Sequence, residues 1–273
     1  MAQLPRPSLP TLSFIALALL AVVAAGACGG GGGSSSTGTA SPTPTAATPP
    51  APIVIGAVLA TSGPASFIGE PEAKTLRMLV DDANASGGVA GRQIELRLLD
   101  SGGDKNKAQG HVESLMSEGA WVVLGPSTSG ESLAVRQLAG ALEVPLVSLA
   151  ASHKIVEPPT DWVFKTAQSD SLAVRVVFAD LQKRGLKSIG VVHVSDGFGK
   201  SGWEQIQELA PAFGLTIASD ASFAREETEL TGPVSRALAG EADALVVWGT
   251  SPGPAEATKA ARRQGFTGPI YQS

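Results

Sequence analysis

From Ile53 onward, short apolar runs alternate with longer stretches in which apolar residues recur every three or four positions, a pattern that predicts βα units around parallel sheets. The runs predict strands at Ile53–Ala60, Ile94–Leu99, Trp121–Leu124, Leu146–Leu149 and Trp162–Lys165, and then at Ser188–Val194, Leu215–Phe223, Ala244–Trp248 and Pro269–Tyr271. Between them, Ala73, Leu76, Val80 and Ala83 share one helical face. Trp203, Ile206, Leu209 with Ala210, and Phe213 share another, so both segments can lie on a sheet. Thr128 with Glu131, and Ser201 with Glu204, have the spacing of capping boxes and mark helix starts. The alternation runs through five strands and then begins again. The expected fold is α/β, with two doubly wound parallel-sheet lobes over about 53–167 and 168–273.

Ahead of Ile53 the pattern changes twice. Thr11 to Ala27 is an apolar leader behind the cation Arg6, and its core from Phe14 to Ala25 is shorter than the roughly 20 residues that span a bilayer, so residues 1–27 read as a secretion signal. Ala25-Gly26-Ala27 fits the small-residue cleavage rule, and Cys28, the chain's one cysteine, follows directly. That arrangement resembles the lipobox of bacterial lipoproteins, in which this thiol is acylated. The alternative is an ordinary signal peptide that leaves Cys28 as an unpaired thiol. Residues 28–52 are rich in Gly, Ser, Thr and Pro and read as a flexible tether with a reach on the order of 25 to 30 Å. A lone cysteine allows no internal disulfide, so the folded part depends on a conventional core, which the 43% hydrophobic content supports.

The formal net charge is −5, and loss of the leader with Arg6 makes it more negative still. Basic and aromatic residues do not cluster and there is one tyrosine, Tyr271, which argues against nucleic acid as a partner. His111, His153 and His193 show no metal-ligand spacing, so no metal and no cofactor is expected.

In doubly wound sheets, ligands bind beyond the carboxyl ends of the strands. The loops there read Thr61-Ser62-Gly63-Pro64, Gly125 to Gly130, Ala150-Ala151-Ser152-His153, Ser195 to Gly199 and Gly249-Thr250-Ser251. They are small, rich in hydroxyls and poor in charge, a chemistry of recognition more than of catalysis. Unpaired N–H groups at the helix start of Ser127 to Gly130 can hold a carboxylate, and Ser152 lies on a neighbouring loop. Thr128 or Ser129 acting only as a helix cap is the alternative.

Several stretches resemble the type I periplasmic binding proteins, in particular the branched-chain amino acid receptors of ABC transporters. They are Ile55-Gly56-Ala57 leading to Ser62-Gly63-Pro64, Asn84 to Leu96 with Asp100, Gly125 to Gly130, Val144 to Ser148, and Asp196-Gly197-Phe198-Gly199. The similarity covers about 53–273. It implies a two-lobed trap, monomeric and without catalytic activity, that closes on a small ligand and presents it to membrane permease subunits. It implies further that Ser129 binds the ligand's carboxylate, that the Ala150 carbonyl takes its ammonium, that Ser152 is a second hydroxyl contact and that Phe198 covers the ligand. Ile68 falls where amino-acid binders often carry a tyrosine, and Ser251 near where another aromatic is expected, which favours an aliphatic or larger apolar ligand. Relatives usually carry an acidic ammonium partner just after the strand that here reads Pro269 to Ser273, so the resemblance implies a second lobe cut short. The function expected is an extracytoplasmic substrate-binding lipoprotein of an ABC importer. It would be anchored through Cys28 to the bacterial cell membrane and would bind a branched-chain amino acid, an amide or a related carboxylate.

Three other readings remain open. A sensing or regulatory lipoprotein would use the same trap without a permease. An exported dinucleotide-binding oxidoreductase would use the G-x-G-x-x-G of Gly197, Gly199 and Gly202 with Asp220, although Ser195 and Asp196 separate the strand from the first glycine. A serine hydrolase would need Gly125-x-Ser127 as a nucleophile elbow, but Ser129 stands where the closing glycine belongs.

Overall fold

A computed structural model describes residues 50–273; the leader, Cys28 and most of the tether lie outside the described residues. The described residues form one compact unit. Its first half contains β1 (Ile53–Leu59), α1 (Ser66–Ala85), β2 (Ile94–Asp100), α2 (Lys105–Ser117), β3 (Val122–Leu124), α3 (Ser129–Leu142), β4 (Leu146–Ser148) and β5 (Val163–Lys165). The five strands make a wholly parallel sheet in the order β2-β1-β3-β4-β5. After a crossing at 166–169 come α4 (Asp170–Lys183), β6 (Ser188–Val194), α5 (Gly197–Leu209), β7 (Thr216–Phe223), α6 (Thr231–Leu238), β8 (Ala244–Trp248), α7 (Gly253–Arg263) and β9 (Ile270–Gln272). These four strands form a second parallel sheet, β7-β6-β8-β9.

Helices cover the sheets because each presents one apolar stripe. On the first sheet, Val112 and Leu115 of α2 and Val135 and Ala139 of α3 pack against Val58, Val123 and Leu146, while Ala73 of α1 packs on Ala57 and Leu59 from the other side. On the second, Val174, Phe178 and Leu181 of α4 join Ile206 and Leu209 of α5 against Ile189, Val191 and Val246. Val234 of α6 and Ala257 and Ala260 of α7 close the opposite face on Val192, Leu245 and Val247. β6 and β8 are therefore covered on both faces, which is why their sequences are nearly unbroken apolar runs. Each fully buried aliphatic or aromatic side chain here contributes roughly 1.5 to 3 kcal/mol relative to exposure.

All nine predicted strands form, with no end displaced by more than one residue. Of the two predicted capping boxes one forms. Thr128 caps α3 and Glu131 reciprocates, but Ser201 lies inside α5, whose cap is Asp196. Asp196 wins because its carboxylate accepts from the N–H groups of both Phe198 and Gly199, 2.9 and 3.0 Å away. In each sheet the first strand lies between its two successors, β1 between β2 and β3 and β6 between β7 and β8. That reversal of winding opens a crevice at the carboxyl ends of the strands, and it does so in both halves.

Candidate functional site

Loops from the carboxyl ends of both sheets enclose a cavity of about 1000 Å³. Its walls meet directly at one point. A Cβ placed on Gly197, at the start of α5, would lie 2.7 Å from the backbone of Gly130 at the start of α3, so the two helix N-termini touch through glycines. Beside this contact, Ser152 Oγ and Ser201 Oγ are 2.7 Å apart, and Lys154 pairs with Glu204 across the same gap.

The wall from the first half is built on α3. Three successive hydroxyls follow β3, and hydrogen bonding gives each a different task. Ser127 Oγ accepts from the Ala60 N–H at 3.1 Å and donates to the Glu72 carboxylate of α1, so it is spent on structure. Burial pushes the Glu72 pKa up, opposed by the bond from Ser127. Thr128 completes the capping box with Glu131. Ser129 Oγ accepts the Ser152 N–H at 3.2 Å, which fixes the oxygen, and among the described residues its O–H proton has no acceptor. The N–H groups of Ser129 and Gly130, in the first turn, have no intrahelical acceptor. The cavity wall here thus offers one hydroxyl and two amide donors at the positive end of a helix dipole. Glu131 lies beneath, fully buried, and among the described residues its Oε1 has no hydrogen-bond partner.

The wall from the second half is built differently. The N-terminus of α5 is already occupied by Asp196, whose second oxygen forms an ion pair with Arg225 from the loop after β7. Arg225 also donates to Thr250 Oγ1, after β8, at 2.9 Å. Loops from three adjacent strands are thereby tied together, and all three contribute to the cavity lining.

Of the residues expected at the site, Ser129, Ala150, Ile68 and Phe198 line the cavity. Ala150 is buried, its N–H donating to Ser148 Oγ at 3.1 Å. Ser152 is brought next to Ser129 but not to the cavity wall. It is fully buried, with its N–H on Ser129 and its hydroxyl facing Ser201, so it supports the site from behind. Two stretches of the lining were not foreseen, Gly102–Lys105 after β2 and Ala224–Glu226 after β7. Both follow strands flanking the winding reversal, which the crevice rule passes over; a cation at the head of the acidic run Arg225-Glu226-Glu227 was the available signal.

The geometry also bears on the enzyme readings. The G-x-G-x-x-G glycines are explained by packing: Gly197 meets Gly130, Gly199 lies on the Val194 carbonyl, and Gly202 makes room for the Trp248 ring. A pyrophosphate would need the amides that Asp196 already holds. Asp170, His153 and Ser201 do cluster, but both Asp170 Oδ1 and Ser201 Oγ meet the same ring nitrogen, Nδ1, at 3.2 and 3.1 Å. Nε2 faces Gln205 instead, so no proton relay runs through the ring. Among the described residues, no group of three His, Cys, Asp or Glu side chains is placed to hold a metal ion.

Comparison with known proteins places this geometry among its relatives. A family described as periplasmic binding protein matches residues 52–272. The chain is 24% identical over 196 residues to Leu/Ile/Val-binding protein homolog 8 of Brucella abortus, covering 67% of this chain and 48% of that one. The chain spans about half the length of the curated relatives it matches. Among solved structures, an extracellular ligand-binding receptor from Rhodopseudomonas palustris HaA2 has a TM-score of 0.74 at 28% identity, over 81% of this chain and 61% of that one. The branched-chain amino acid transporter substrate-binding protein LivJ from Streptococcus pneumoniae, solved with isoleucine, has a TM-score of 0.70 at 25% identity, over 81% and 64%.

Proposed function

The chain belongs to the periplasmic binding protein family, and from that premise we propose that it is the extracytoplasmic substrate-binding component of an ABC importer, taking a small amino-acid-like ligand. The observation that carries the reading is Ser129. Its hydroxyl oxygen is fixed by the Ser152 N–H while its proton stays free, beside two unpaired amides, on the wall of a cavity between two sheets. A carboxylate satisfies all three donors at once. The ammonium of the same ligand goes to the Ala150 carbonyl, while Ile68 and Phe198 supply the apolar contact. Residues 53–167 and 168–273 act as the two lobes. A ligand that touches both favours the closed arrangement by its differential affinity, and a permease reads that arrangement. The signal ahead of Cys28 exports the chain, and acylation of Cys28 holds it at the membrane through the tether.

Calorimetric titration with amino acids and their amides tests the reading. Binding should weaken by about 1 to 3 kcal/mol in Ser129→Ala, through loss of a hydrogen bond to a charged group. Unchanged affinity in that variant removes Ser129 from the site.

A further inference from the structure

Arg225 is the part of the cavity wall that the amino-acid reading leaves without a task. Four cations line the cavity. Lys105, Lys154 and Lys200 are exposed, and Lys154 is already paired with Glu204, whereas Arg225 has a side chain only 16% exposed. A guanidinium carries five N–H donors. Arg225 spends one on Asp196 and one on Thr250. Its partner, an acceptor only, has no hydrogen to offer an anion: one Asp196 oxygen accepts two helix N–H groups and the other accepts Arg225. Of this pair, therefore, the arginine is the member with donors left for a ligand. The cavity, at about 1000 Å³, reaches the upper end of the range for small-molecule sites, so there is room beyond an α-amino carboxylate held at Ser129.

We infer that Arg225 selects ligands with a second carboxylate besides the one held at Ser129, which makes the substrate class a small diacid, with or without an α-amino group. The inference rests on the reading that Ser129 holds the first carboxylate. A planar guanidinium and a carboxylate form charge-assisted, often paired, hydrogen bonds. An aliphatic tail at the same place would strand partly buried donors, and sites built to hydrogen-bond a group discriminate strongly against analogues that lack it.

The test uses two chain-matched pairs on the purified protein, norleucine against 2-aminoadipate and hexanoate against adipate, by calorimetry. Each diacid should bind at least tenfold tighter than its monoacid. In Arg225→Gln the preference should shrink to within twofold, and Arg225→Lys should keep part of it. If the wild-type protein binds the monoacids as tightly as the diacids, the inference fails while the carboxylate reading stands. If Arg225→Gln melts lower yet keeps the wild-type ratio, Arg225 only ties loops together and the inference fails. If none of the four compounds binds, the carboxylate reading fails and takes the inference with it.

Discussion

Two helices begin at the cleft, and they are capped in opposite ways. α3 is capped by a neutral hydroxyl, Thr128, and keeps the amides of its first two residues and the Ser129 proton unspent. α5 is capped by an anion, Asp196, which takes two of its first amides and is itself paired to Arg225. Both termini carry the same partial positive charge, so the cap decides what each can still attract. The α3 end remains an anion site; the α5 end has been neutralised, and its remaining capacity has moved outward to a guanidinium. A cavity with like helix ends thereby acquires two distinct poles, one made of backbone and hydroxyl, the other of a cation that ties three loops together.

The contact between the poles gives the largest effect. Gly130 and Gly197 approach so closely that a methyl on Gly197 would meet backbone, which has no rotamer to yield. Gly197→Ala should hold the walls apart and weaken ligand binding by about 1 to 3 kcal/mol or more, the usual cost of overpacking, since the closed arrangement bears the clash. The ligand-free protein, able to relieve the clash by opening, should keep its melting temperature. Titration calorimetry beside a thermal melt separates the two. Wild-type affinity in Gly197→Ala would show that the helix ends need not touch when ligand is bound.

Ser127 and Ser129 sharpen the comparison within one wall. Two residues apart and both buried, they differ in where their protons go: the Ser127 proton goes to Glu72, the Ser129 proton is free. Ser127→Ala removes the acceptor for the Ala60 N–H and the donor that counters the raised Glu72 pKa. It should cost about 1 to 3 kcal/mol of folding stability in urea, with a smaller effect on affinity than Ser129→Ala. A variant that folds like wild type but loses ligand would reverse the assignment of the two hydroxyls.

The sequence revealed these features unevenly, for physical reasons. β6 and β8 were readable because burial on both faces demands continuous apolar runs, and Thr128–Glu131 because a capping box is a local device. Ser201–Glu204 has the same spacing and is not a box. The nearer Asp196 competes for the same helix start, and Ser201 is turned toward Ser152 and His153, about fifty positions away in the chain. Ser152 lies beside Ser129, but its hydroxyl is turned away from the cavity by that same distant contact. Arg225 carries no comparable local sign, because its pairing with Asp196 and Thr250 exists only once β7, β6 and β8 lie side by side.

The smallest effect concerns the rim of the α3 side, where a second aspartate holds a loop as Asp196 does opposite. Asp100, at the end of β2, accepts from Ser62 Oγ at 2.5 Å and from the N–H groups of Ser62 and Gly102 at 3.1 and 3.0 Å. Those bonds, the Ser62 hydroxyl foremost, lower its pKa from 3.8 to about 2. A carboxyl that titrates lower in the folded state favours folding at any pH above its unfolded value, and that contribution fades as pH falls from about 4 toward 2. Asp100→Asn should therefore cost up to about 1 kcal/mol at pH 7, a modest figure because the group is partly exposed to water. Urea melts of the two proteins at pH 7 and at pH 2.5 should show the gap narrowing at the lower pH. A gap that stays constant would mean that Asp100 acts through shape and not through charge, and the parallel between the two aspartates would end there.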